Sequence, residues 1–112
     1  MSQFIVNSFS ITPKKISTGT THVKVTYNFD MDEASQNPVT VQLFVLSSLA
    51  VSFDVAISNE NLTVGNNVVT RDRTISAHSN ITSDKIIKIM IRVEGKDGGV
   101  SSRSTTITYS AD

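Results

Sequence analysis

Three carboxylates close together are the strongest candidate for metal chemistry in this sequence. Asp30, Asp32 and Glu33 fall within one short stretch at the end of an alternating apolar segment. Hard cations such as Ca²⁺ take about six to eight oxygen ligands, often from alternate residues of a loop. Asp30 and Asp32 have that alternate spacing, but no EF-hand spacing follows and its central glycine is absent. The pattern favours a solvated acidic loop, with a calcium site as the alternative.

Residue types suited to covalent or acid–base catalysis are sparse. The chain has no cysteine, which excludes a thiol nucleophile and a thiolate metal site. Its two histidines are His22, at the start of the alternating segment, and His78, in a polar stretch, and both are expected at the surface. No serine lies in a Gly-x-Ser-x-Gly elbow. The sequence therefore predicts a protein that is not an enzyme and needs no cofactor.

Composition narrows the class of partner. The 112 residues suffice for one domain, 1–112, and ten Lys+Arg balance ten Asp+Glu. A neutral chain lacks the basic footprint of a nucleic-acid binder, and no apolar stretch approaches the ~20 residues of a membrane helix. There is no Trp, and Tyr27 and Tyr109 have core parity, so no aromatic platform for sugars is visible. Glycan recognition through loop Asn and Asp side chains stays an alternative.

The N-terminus lacks a basic segment followed by a long apolar one, so no signal peptide is visible. We expect a virion or cytoplasmic location rather than classical secretion.

The pattern of apolar residues is that of a half-buried sheet. From His22 to Asp30 every odd position is apolar and every even position is polar or charged, and side chains of a strand alternate between its two faces. Similar patterns recur along the chain. They predict strands at Phe4–Ile11, Val23–Asp30, Val39–Leu46, Val51–Ile57, Leu62–Thr70, Arg73–Ala77, Ile86–Glu94 and Val100–Tyr109.

The first predicted strand changes parity. Phe4 and Val6 share one face, whereas Phe9 and Ile11 share the other. A continuous strand cannot bury both pairs in one core, so we expect a bulge near Asn7-Ser8 that redirects the second pair.

Turn residues separate the strands at short intervals. Gly95–Gly99 is expected to join the last two strands, and Gly65–Asn67 suits the positive φ of a hairpin turn. Short alternating strands with frequent turns indicate an all-β, antiparallel sandwich of about seven or eight strands with Greek-key connections.

Two strands depart from clean alternation. Phe44 and Leu46 occupy the outward positions of one strand, and Ile86 and Met90 those of another. In immunoglobulin-like sandwiches the equivalent strands are neighbours in one sheet. The four side chains are therefore predicted to form an apolar patch on the outside of that sheet, where a protein partner or a second copy would bind. The alternative is that loops or a terminus cover these side chains, or that they are isolated apolar side chains at strand ends.

The opening third contains a spaced set of apolar, proline and glycine residues: Ile11, Pro13, Ile16, Gly19, Val23 and Val25. With this set, residues 9–29 resemble bacterial and phage immunoglobulin-like modules. In those modules the first strand ends at a proline, a short apolar hook follows, and a glycine turn leads into the alternating strand. The resemblance implies an immunoglobulin-like fold.

Together these features predict a non-catalytic structural or protein-binding module. The first hypothesis is a virion accessory or decoration protein of a capsid or tail, or a surface-associated domain of the same fold. The alternative is an adhesion module that binds glycan or calcium through the loop containing Asp30, Asp32 and Glu33.

Overall fold

The computed structural model describes residues 4–111. These residues form nine strands and one short 3₁₀ turn, Ala34–Gln36, in a body of 48 × 20 × 20 Å. No helix among them is long and apolar enough to cross a membrane. The strands are β1 (Phe4–Thr12), β2 (Lys15–Ile16), β3 (Gly19–Met31), β4 (Val39–Leu46), β5 (Val51–Phe53), β6 (Ile57–Glu60), β7 (Gly65–Ala77), β8 (Lys85–Glu94) and β9 (Val100–Tyr109).

The strands form two sheets. Sheet A has the order β1-β3-β7-β5, and sheet B has the order β2-β9-β8-β4-β6. All pairings are antiparallel except that of β2 with β9, in which Lys15 lies beside Thr108 and Ile16 beside Tyr109. The chain therefore changes sheets at every connection except the last, from β8 to β9.

The core lies between the sheets and is built by the alternation seen in the sequence. On β3, Val23, Val25, Tyr27 and Phe29 are buried, while the residues between them face solvent or are half-buried. Burying a side chain of this size contributes about 1.5–3 kcal/mol. The inner face of β8, Ile87 through Val93 at odd positions, supplies the opposite wall.

The predicted bulge is present. The register of β1 against β3 shifts between Val6 and Ser8, so Val6, Phe9 and Ile11 all reach the core. The amide of Val6 donates to Ser101 Oγ (3.0 Å), and Arg103 Nε donates to the carbonyl of Val6 (3.1 Å). Two side chains of β9 thus complete the bonding of β1 on the side away from β3.

The predicted strand Val51–Ile57 was wrong as a single unit. Val51–Phe53 pairs with β7 in sheet A, and Ile57–Glu60 pairs with β4 in sheet B. Asp54 marks the crossing: its amide donates to Thr74 O (3.0 Å) and its Oδ1 accepts from Thr74 N (3.0 Å). That carboxylate satisfies the ladder at the point where the backbone leaves the sheet.

The region after the crossing also differs from expectation. Gly65–Asn67 is not a hairpin turn, because Gly65 begins β7 with φ +106°. Leu62–Thr70 and Arg73–Ala77 are not separate strands, since β7 runs continuously and pairs with β3 over its whole length.

The turn at Gly95–Gly99 joins β8 to β9 as predicted, with Gly95 N donating to Gly99 O (2.7 Å). The bounds of β4 and β9 are those expected from the sequence.

Candidate protein-binding surface

The outer face of sheet B brings together the residues that break the alternation. The register of β4 against β8 places Phe44 directly opposite Met90 and Leu46 opposite Lys88. Directly opposed side chains on one face of a sheet lie about 4.5–5.5 Å apart at Cβ. The Phe44 and Met90 side chains are both half-buried, at the middle of the sheet.

Ile86 lies at the end of the same face. It precedes Lys88 by two residues and so stands diagonally from Leu46, at about 7–8 Å by sheet geometry. Ile86 is 70% exposed and Leu46 is 47% exposed. We call Phe44, Leu46, Ile86 and Met90 the sheet-B patch.

A fifth apolar side chain adjoins the sheet-B patch. Ile57 on β6 lies opposite Gln42, which puts it diagonally next to Phe44, and it is 58% exposed. Sequence reasoning placed Ile57 inside a strand of inward parity and therefore missed it. Ser58 and Glu60 take the inward positions of β6 instead, because they lie opposite the inward residues Val41 and Val39.

Charged residues surround the sheet-B patch. Lys88 stands between Ile86 and Met90 on β8, and Lys15 lies at the margin of the sheet on β2. Arg92 and Glu94 form an ion pair with Nη1 and Oε1 3.3 Å apart. Within the outward positions of the described strands this face carries more cations than anions.

The outer face of sheet A is different in character. Asn66 Nδ2 donates to Asn28 Oδ1 (2.7 Å) and to Asp30 Oδ1 (2.6 Å), and Asn7 Nδ2 also donates to Asn28 Oδ1 (2.8 Å). The hydrogen bond from Asn66, supported by Asn7, lowers the pKa of Asp30. Polar side chains on this face bond to one another, so its exposed apolar side chains, such as Val68, stand in polar surroundings.

The acidic stretch does not converge. Asp30 belongs to β3, whereas Glu33 is the N-cap of the 3₁₀ turn, where its backbone N–H donates to Gln36 Oε1 (3.4 Å). Among residues 4–111 no group of three or more His, Asp or Glu side chains is placed to hold a metal ion. A solvated acidic stretch remains our prediction, with calcium binding by Asp30, Asp32 and Glu33 as the alternative.

The two histidines lie at the surface, as expected. His22 is exposed on the outer face of sheet A, and His78 is exposed just after β7.

A half-buried polar cluster at the β5–β6 crossing was not anticipated. The carboxylate of Glu60 accepts from Arg71 Nε (3.3 Å) and forms a second, short bond with Arg71 Nη2. The hydroxyl of Tyr27 faces the same region, is buried, and has no hydrogen-bond partner among the described residues. Burial, and then the charge of Glu60, raises the pKa of Tyr27 to about 12. The sequence did contain an indication of this cluster. Arg71 and Arg73 alternate with the same parity as the buried residues Val69 and Ile75, so their side chains point toward the inside of the sandwich.

Comparison with known proteins identifies the fold. No family model and no curated protein sequence matches this chain. Solved structures do. The YadV chaperone superposes with a TM-score of 0.60 at 8% identity, over 93% of this chain and 52% of that one. The E. coli chaperone DraB gives 0.52 at 12% identity, over 96% and 55%. This chain thus spans about half the length of each chaperone.

A third structure matches along its whole length. A conjugative transposon lipoprotein from Bacteroides eggerthii gives a TM-score of 0.54 at 13% identity, over 94% of this chain and 96% of that one. The fold is an immunoglobulin-like sandwich. That confirms the fold class implied by the sequence resemblance, while identities this low carry no more than the fold.

Proposed function

We propose that this protein is a non-catalytic binding module that docks onto another protein through the sheet-B patch. The observation that carries the proposal is the placement of Phe44 opposite Met90 on the outer face of a five-stranded sheet, continued by exposed Leu46 and Ile86. Contiguous exposed apolar surface is the usual mark of an interface. The polar outer face of sheet A provides an internal contrast.

The charges around the patch favour a partner of different sequence. Lys88 lies in the middle of the patch. Lys15 and Arg92 lie on the same outer face, and the acidic residue on that face is Glu94. A second copy stacked on this face would bring like charges near one another, which costs free energy when water is excluded. We therefore propose a partner with an apolar surface and a carboxylate placed to meet Lys88.

The setting we propose is attachment to a large assembly, as a virion accessory protein of a capsid or tail or as a surface-associated domain. Support comes from the form of the molecule, a small sandwich with an apolar patch on the outer face of sheet B and hydrogen-bonded polar side chains on the outer face of sheet A. Such a body can be fixed by the first face while the second remains in solvent.

Site-specific photo-crosslinking in the producing cell tests this proposal. A benzophenone amino acid is introduced at Leu46, and at Ile5 on β1 of sheet A as a matched position, because the two side chains are 47% and 46% exposed. We expect one defined adduct from position 46 that is absent from position 5. The adduct's protein partner, purified and mixed with this chain, should bind with a Kd that Phe44→Asp raises at least about tenfold.

Light scattering after size-exclusion chromatography supplies the remaining outcomes. A monomer at high concentration agrees with the proposal. A wild-type dimer that Phe44→Asp dissociates would replace the heterologous partner by a second copy. Equal crosslinking from both faces, or an unchanged Kd for Phe44→Asp, would refute docking through this patch.

A further inference from the structure

Sheet A has an edge that is only partly covered by the strands of residues 4–111. β5 covers β7 only from Ile75 to Ala77, and Asp54 completes the bonding of Thr74. If β5 had continued in the same register, residues 56 and 58 would lie opposite Asp72 and Thr70. The chain crosses to β4 instead, so these positions beside β7 are vacant.

The backbone groups at the vacant positions point outward. Alternate residues of an antiparallel strand direct their N–H and C=O groups to the same side, and Thr74 directs its own toward β5. Thr70 and Asp72 therefore do so as well. Their amides have no acceptor within residues 4–111, and both residues are exposed. Such a row is a template for an added strand.

Two arginine side chains cover backbone carbonyls along this edge. Arg71 Nη1 donates to the carbonyl of Thr70 (3.0 Å), and Arg73 Nη1 donates to the carbonyl of Asp72 (2.9 Å). Arg71 is also paired with Glu60 across the gap between the sheets, whereas Arg73 has no ion-pair partner among the described residues. Inward-pointing charge of this kind prevents the edge from pairing with copies of itself.

The positive charges of Arg71 and Arg73 favour an acidic segment at this edge over a second copy of β7. Two copies joined edge to edge through β7 would bring four guanidinium groups together, which disfavours self-pairing. An extended segment with carboxylates at alternate inward positions would instead meet Arg71 and Arg73 with the opposite charge. The arginines could then turn from the carbonyls of Thr70 and Asp72 to those carboxylates, which frees the carbonyls for the incoming amides.

The space behind the edge is too small for an ordinary small-molecule ligand. The cavity there has a volume of about 20 Å³ and is lined by Tyr27, Val41, Leu43, Glu60 and Arg71, among others. That is room for about one water, far below the ~300 Å³ of an ordinary ligand pocket. The unpartnered hydroxyl of Tyr27 faces this space and can bond an inward polar side chain.

We propose that the edge of β7 from Val68 to Asp72 binds an extended acidic peptide segment of a partner protein, which adds to sheet A as a strand. Carboxylates at alternate positions of that segment pair with Arg71 and Arg73. This surface is separate from the sheet-B patch and does not depend on it.

Titration of the labelled protein with a synthetic acidic peptide, acetyl-TEVEVT-amide, tests the proposal by amide NMR at low salt. We expect saturable shifts and slowed hydrogen exchange centred on Thr70 and Asp72. Arg73→Glu should weaken binding by about tenfold or more, because it places like charges together. Lys96→Glu, an exposed charge reversal in the β8–β9 turn, is the matched control and should leave the Kd unchanged.

Two further peptides separate strand addition from charge attraction. Acetyl-TKVKVT-amide should fail to bind the wild type but bind Arg73→Glu better than the acidic peptide does. A version of the acidic peptide with N-methylated amides keeps its charge but cannot form the ladder, and it should not bind.

Equal binding of the acidic, basic and N-methylated peptides, shifts located away from β7, or no shifts at millimolar peptide would overturn the proposal. Phe44→Asp should bind the acidic peptide as the wild type does, so failure here is distinct from failure of docking through the sheet-B patch. If Arg73→Glu does not fold, Arg73→Gln and the three peptides decide the question on their own.

Discussion

Asn37 holds Leu62 through both backbone groups of that residue. Asn37 Nδ2 donates to Leu62 O (2.6 Å), and Leu62 N donates to Asn37 Oδ1 (2.9 Å). A side-chain amide here takes the place of a neighbouring strand. It anchors the segment between β6 and β7 to the residue two positions before β4, and Leu62 is thereby kept in the core.

Asn37→Ala should therefore destabilise the fold. Removing the amide leaves both half-buried backbone groups of Leu62 without partners, which costs about 1–3 kcal/mol. Urea denaturation measures the change. Asn59→Ala is the control, because exposed Asn59 only accepts one side-chain bond from Thr40, and its effect should be clearly smaller. Equal losses for the two variants would contradict the anchoring role of Asn37.

Gly95→Ala should also destabilise the fold, although it adds only a methyl group. A Cβ at position 95 would lie 2.9 Å from Phe4 Cε2, and the Phe4 ring packs edge-on against Phe29 with centroids 4.8 Å apart. Overpacking of this kind costs about 1–3 kcal/mol. At Gly99 the same methyl meets the Phe4 ring at 3.4 Å, so Gly99→Ala should cost less. Thermal melting of both variants makes the comparison, and a larger loss for Gly99→Ala would contradict it.

Tyr27→Phe should be nearly neutral in stability at pH 7, since the hydroxyl it removes is buried without a partner. The variant should differ from the wild type in alkali. The pKa of Tyr27 is raised from 10.0 to about 12 in the fold, so the native state holds the phenol proton more tightly than the unfolded state does. This contribution is complete below pH 10 and is lost as the pH rises toward 12.

Urea denaturation of both proteins at pH 8, 10 and about 11.5 measures that difference. The wild type should lose more stability over this range than Tyr27→Phe, with the lysines common to both. Parallel pH profiles would show that Tyr27 is not buried as described.

Calcium at millimolar concentration should leave the melting temperature unchanged. Asp30 already accepts from Asn66, and its carboxylate lies on a strand rather than in a loop with Glu33. If a site did bind calcium, a calcium concentration of 100 times its Kd would add about 2.7 kcal/mol to the free energy of unfolding and raise the melting temperature by several degrees. A rise that Asp32→Asn abolishes would restore the calcium alternative.

The alternation of apolar and polar residues was sufficient to predict much of the fold, but it did not predict the crossing from β5 in sheet A to β6 in sheet B. Val39–Leu46 and Val100–Tyr109 alternate within one sheet, and their bounds could be predicted from the sequence. Val51, Phe53 and Ile57 also share one parity, but the chain changes sheets after Phe53, so Ile57 ends on the outside. Both sheets impose the same period of two, and the pattern cannot say which sheet a residue joins.

The candidate surfaces could likewise be predicted only where a strand stays in one sheet. Phe44 and Met90 could be assigned to one face from their parity, because β4 and β8 keep that parity throughout. Ile57 could not be added to them, since its position depends on the non-local register of β6 against β4. The open edge of β7 depends on where β5 ends, and only Asp54 marks that point in the sequence.

The parallel pairing of β2 with β9 has a mechanical consequence. Thr108 N donates to Lys14 O (2.7 Å) and Ser110 N donates to Ile16 O (2.8 Å), so the N-terminal and C-terminal parts of the chain are joined side by side in the same direction. A pull on the two ends loads these bonds in shear, and they must break together rather than one after another. The fold therefore resists stretching along its strands more strongly than its equilibrium stability alone would indicate.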